Sequence, residues 1–327
     1  MVDRDAITNG QWTGVNMDSS DQRERIEQAI FTSAQTKRGD GYQIVASSDG
    51  MDDEDARALA TWCPSHDAML DERRVPSSVN FHPLPSGAYG VSRTDAVGVE
   101  YSGRGGRRIH THCLVVRPPV MRRFGNNPCV LLQAAVAGGA LDPADDCPRQ
   151  LKAIRLPGRA RTIDRALLTY LTRDVGAAAI GYLVHKAMTA PVLGFVSDRR
   201  TEKLIAGLVC CFPIECRTDF SFSTGLRHSP RRPFRWIPVN DDAGVRRRQQ
   251  QQLGMAVVNP RQDREDVGGT PLDPWAEFIH TCLRDRKLAD LRHELEKPHP
   301  EVKARTHRPA GSGEEASLQP DDCSVLA

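Results

Sequence analysis

The chain has 327 residues, 39% of them apolar and 26% charged, and its 44 Lys and Arg against 42 Asp and Glu leave a formal charge of +2. That balance excludes collagen-like, coiled-coil, wholly disordered and membrane-embedded classes, and the length accommodates about two domains. The most apolar long run, residues 176–196, is interrupted by His185, Lys186 and Pro191, and the charged opening Met1-Val2-Asp3-Arg4-Asp5 has no apolar core behind it. Neither a membrane span nor a signal peptide is predicted, so the expected location is the cytoplasm.

Residues 1–24 are polar and are expected to form a disordered leader. From Ile26, two strand-like runs, Ala29–Thr32 and Tyr42–Ala46, flank the turn residues Arg38-Gly39-Asp40-Gly41 and predict a hairpin. Met51–Asp55 places acids at the start of a helical pattern carrying Ala56, Leu59, Ala60 and Cys63, which Pro64 ends. Alternation through Tyr89, Val91, Val97, Val99 and Tyr101, then Ile109 through Val116, predicts strands. Cys129–Gln133 reads as another short strand. The fold class is therefore α+β: a mainly antiparallel, β-rich domain over 25–145, then a mixed α/β domain over 146–296 that ends in a C-terminal helix. In the second domain, helices carrying Leu167, Leu171 and Val175, and Ile180, Leu183 and Val184, precede a strand at Val192–Val196. A helix over Thr201–Phe212 follows, then strands at Phe220–Ser223 and Phe234–Val239, and a helix starting at Asp273-Pro274. Residues 297–327 lack periodicity and are expected to be a disordered tail.

Nine cysteines are scattered without a C-x-x-C pair and read as reduced, mostly buried thiols. His110-Thr111-His112-Cys113 puts two imidazoles on one face of a strand, where they are the candidate ligands of a metal-dependent enzyme. Two ligands are no site, so a structural histidine pair is favoured. No P-loop and no G-x-S-x-G elbow occurs in the chain, and neither a catalytic residue nor a cofactor is assigned.

Charge is unevenly placed. Asp40–Glu72 holds nine acids against Arg57, whereas Arg104–Arg123 holds six arginines and no acid. Candidate partner-binding residues are Asp52, Asp53, Glu54 and Asp55 on the acidic side. On the basic side they are Arg104, Arg107, Arg108, Arg117, Arg122, Arg123, Arg231, Arg232 and Arg235. The arginine stretches also define a nucleic-acid-binding alternative, which the pI near 8.1 disfavours.

Two segments carry a family likeness. Glu27–Ala34 continuing to Gly41–Gly50, and Glu202–Leu208 with Phe212-Pro213 and Arg217–Gly225, resemble the N-terminal and middle domains of the GTPase-associated adaptor proteins of bacterial NTP-dependent conflict systems. The resemblance implies a non-catalytic adaptor whose partner is a GTPase or related NTPase. It transfers no GTPase-contact residues, because no motif in those strings assigns them.

Overall fold

A computed structural model describes residues 24–36, 39–70, 77–99, 107–141, 150–196, 201–261 and 271–306. The expected leader up to residue 23, and the tail from 307, lie outside the described residues. The chain is α+β and forms two compact units. The first takes residues up to Arg161 together with Ser223–Pro233; the second takes Thr162–Phe222 and residues from Phe234 on.

In the first unit, β1 (Glu27–Thr36) and β2 (Gly39–Ser47) form the predicted hairpin, paired from Thr36↔Gly39 to Ala29↔Ser47 with a register shift between Ile30 and Phe31. Strands β3 (Ser77–Pro83), β4 (Tyr89–Val99) and β5 (Arg107–Val116) complete an antiparallel order β2-β1-β5-β4-β3. Helix α1 (Asp53–Trp62) covers one face, with Leu59 and Cys63 against Ala29, Phe31, Cys113 and Val115. The rest of that face is polar and buried. Asn80 accepts hydrogen bonds from Ser78 and Ser223 hydroxyls, both at 2.8 Å, and donates to Ser92 and Thr94 at 3.2 and 3.1 Å. Thr94 in turn meets Thr111 at 3.0 Å. A buried amide left without such partners costs roughly 1–3 kcal/mol, so the returning segment that brings Ser223 is part of this unit's stability.

Cys129–Gln133 is helical, a correction to the expected strand. Asn127 caps the backbone N–H groups of Cys129 and Val130, and Pro128 occupies the first turn of α3 (Pro128–Ala137), which follows α2 (Pro118–Arg123). An alanine-rich run behind a cap and a proline favours helix over strand.

The second unit has parallel strands in the order β7-β8-β6-β9: β6 (Leu193–Val196), β7 (Phe222–Ser223), β8 (Trp236–Val239) and β9 (Ala256–Val258). Helices α4 (Arg165–Asp174), α5 (Ala177–Thr189) and α6 (Thr201–Cys210) pack among themselves, and α7 (Ala243–Leu253) precedes β9. Phe220 stacks on Trp236 with centroids 4.4 Å apart and also meets Phe212 at 4.4 Å. The C-terminal helix of the sequence reading is two, α8 (Pro274–Arg284) and α9 (Leu288–Leu295), and a further helix, α10 (Pro300–Thr306), follows. The first break falls at Arg286, whose φ of 59° is incompatible with a continuing helix. Part of the expected tail is thus ordered, since Pro300 opens α10 and Val302 is buried.

Candidate docking surface

Strand register brings part of the charged set of the first unit to one end of its sheet. β1 begins there, β2, β3 and β5 end there, and the Pro83↔Tyr89 and Tyr89↔Val116 pairs mark its rim. Asp52 caps α1 at this end, accepting from the N–H groups of Glu54 and Asp55 at 2.8 and 3.1 Å. Asp53 and Glu54 are exposed in the first turn, where the helix dipole favours acids. Asp55 is different: it is buried and accepts from the Ser86 N–H and hydroxyl at 3.1 and 2.6 Å, fastening α1 to the β3–β4 turn.

Arg117 and Arg122 are exposed where β5 passes into α2. Arg123, half-buried beside them, pairs with Glu24 at 3.1 Å, donates to the Leu156 carbonyl and lies over the Phe124 ring. Arg107 and Arg108 stand at the other end of β5, so nine strand steps, about 30 Å, separate the two arginine groups. They do not make one continuous band. Arg231 is exposed, and Arg232 is half-buried near Cys63. Arg235, in the second unit, donates to the carbonyls of Asp219 (3.1 Å), Ala187 (3.3 Å) and Thr306 while covering the Phe220 ring, which makes it a fastening of the fold. Arg104 lies outside the described residues.

One group at this end is missing from the sequence reading. Arg25, Lys152 and Arg155, with Asp49 and Gln150, line an open cavity of about 430 Å³. Two bridges place them: Ile26 pairs with Ile154, and Ser48 with Leu151. The Gln28 amide also donates to the Lys152 carbonyl at 2.6 Å. The available signal is the run of basic residues Lys152, Arg155, Arg159 and Arg161.

His110 and His112 share one face of β5, as the strand period predicts, opposite Asp95 and Arg93. Arg93 and Asp95 pair at 3.1 Å. His112 Nε2 lies 2.9 Å from the Gln28 side-chain oxygen, and burial, helped by His110, pushes its pKa down to about 4. Burial also lowers His110, against the pull of Asp95. Cys113 points to the opposite, α1-facing side. Among the described residues no group of three or more His, Cys, Asp or Glu side chains is placed to hold a metal ion.

Residues 25–153 match the family GTPase-associated protein 1, N-terminal domain type 2. Over these residues the first unit is similar to that GTPase-associated domain. The match ends before residues 202–225, the second segment that carries the resemblance. No curated protein matches the chain. Association with a GTPase is the function this family supports. Among the described residues, no helix is long and apolar enough to cross a membrane.

Proposed function

We propose that the chain is a non-catalytic, cytoplasmic adaptor that docks a GTPase or related NTPase of a bacterial conflict or signalling system through its first unit. The observation that carries this reading is the gathering of Asp52, Asp53, Glu54, Arg117 and Arg122 at one end of the sheet that matches the family. Exposed charges of both signs, fixed on a helix N-terminus and a strand-to-helix junction, orient a partner by complementary potential and raise its association rate. The cavity lined by Arg25, Lys152 and Arg155 belongs to the same end and suits an acidic group of that partner. The cysteines support a scaffold reading, since burial pushes Cys211 well up and Cys216 up to about 12, away from nucleophilic thiolate.

Capture from the native host tests the proposal. The wild-type chain is expected to recover an NTPase. The Asp53→Lys/Glu54→Lys and Arg117→Glu/Arg122→Glu variants lose most of it, while Arg107→Glu, at the far end of β5, retains it. Recovery of no NTPase, or equal recovery by all variants, overturns the reading.

A further inference from the structure

The second unit, outside the family match, contains a cavity of about 430 Å³ among α5, α8, α9 and α10. Its walls are aromatic. The rings of Trp275 and Phe278 lie 5.4 Å apart at 39°, and His299 sits 4.6 Å from Trp275 at 56°. Trp275 is anchored from behind by its indole N–H, which donates to the Cys211 carbonyl at 3.1 Å. Its rim carries two carboxylates beside one ring: Glu301 Oε1 is 3.0 Å from His299 Nδ1, and Glu294 Oε1 is 3.6 Å from His299 Nε2 while its Oε2 holds Lys297 Nζ at 2.7 Å. That leaves Glu301 as the carboxylate without a lysine or arginine partner among the described residues. Arg305, also at the rim, is engaged by Asp273.

We propose that this cavity binds an organic cation, an alkylammonium or guanidinium group on an apolar stem, with the charged head beside Glu294 and Glu301 and the stem against Trp275 and Phe278. A cation within about 6 Å of an aromatic centroid is attracted by the ring quadrupole, and a carboxylate supplies a charge-assisted hydrogen bond to the same head. An anion would meet two carboxylates. A neutral apolar molecule would strip water from them without replacing it. The volume takes a group of side-chain size, and the same chemistry has two sources: a free polyamine, or a basic side chain presented by a protein.

Calorimetric titration of the full chain at low salt separates these, with spermidine and N-acetylarginine amide as probes. Saturable one-site binding is expected, weakened about tenfold or more in Glu294→Gln/Glu301→Gln and in Phe278→Leu, with the circular dichroism unchanged. Tighter binding of spermidine identifies a soluble amine; tighter binding of the capped arginine identifies a partner's side chain. Should the double variant unfold, Glu301→Gln alone, at an exposed position, carries the comparison. No saturable binding of either probe, or equal binding by the folded carboxylate variant, overturns the proposal.

Discussion

The Sγ atoms of Cys63 and Cys113 lie 3.5 Å apart, joining the C-terminal cap of α1 to the helix-facing side of β5. The hydrogen bond to Cys113, then burial, raises the Cys63 pKa well above its ordinary value. Cys63 is therefore a thiol at neutral pH. Iodoacetamide is expected to leave both cysteines unmodified in the native protein and to alkylate both after denaturation, read by peptide mass spectrometry. Cys113→Ala is expected to cost about 1 kcal/mol in urea unfolding, the common size of a core truncation that removes one contact.

Acid should weaken the fold through two buried imidazoles. Burial holds His82 and His112 down at about 4, from an ordinary 6.5. Between those values the unfolded chain binds the protons that the folded chain refuses, so stability falls as pH drops through this window and is indifferent to these groups above it. Each contributes on the order of 3 kcal/mol across the window. His82→Phe keeps a ring against Trp62, where the present centroids are 4.4 Å apart and nearly parallel. Its melting temperature is expected to decline less steeply with acid than that of the wild type. Identical acid profiles would refute this account.

Gly207 sets the closeness of α4 and α6. A Cβ there would lie 2.0 Å from Leu171 Cδ1, and Leu171 is itself buried. Gly207→Ala is expected to destabilise by about 1–3 kcal/mol despite the better helix propensity of alanine. Adding Leu171→Ala should recover part of that loss, giving a favourable coupling in a double-mutant cycle. Purely additive losses would show that the two positions do not meet.

Arg217 is almost wholly buried, donating from Nε to the Phe212 carbonyl at 3.0 Å and from Nη2 to the Thr162 carbonyl at 2.8 Å. Burial lowers its pKa, a sign of the desolvation that these bonds offset. Arg217→Ala leaves buried carbonyls without donors and is expected to cost about 3 kcal/mol. Arg217→Lys should restore only part of it, because an ammonium cannot span both acceptors as a planar fork does. Chemical denaturation of the three proteins gives the order directly.

Local chemistry was legible in the sequence where a single segment carried it. Turn glycines announced the β1–β2 hairpin, and Asp273-Pro274 announced α8, whose cap accepts from Trp275 at 2.9 Å. Asn127-Pro128 is the same signal, but the apolar run behind it also satisfies a strand pattern, and its outcome depends on the cap. The proposed docking end was half legible. Asp52–Glu54 read as a helix start, whereas Lys152 and Arg155 reach Arg25 only through pairing between residues more than a hundred positions apart. The cavity beside Trp275 was invisible for a related reason: His299 follows a proline in a polar stretch, and nothing local reveals that its ring packs on α8.

The returning segment Ser223–Pro233 also has a consequence for biosynthesis. Gly225 donates to Ser78 and Thr224 to the Val79 carbonyl, both at 2.9 Å, so these β3 contacts need residues made long after the strand itself. While the ribosome translates the intervening stretch, the hydroxyl ladder around Asn80 lacks Ser223, its late-arriving partner. A nascent chain stalled before residue 223 therefore exposes an unfinished β3 edge to chaperones, and a fragment cut at Arg161 would carry the same defect permanently.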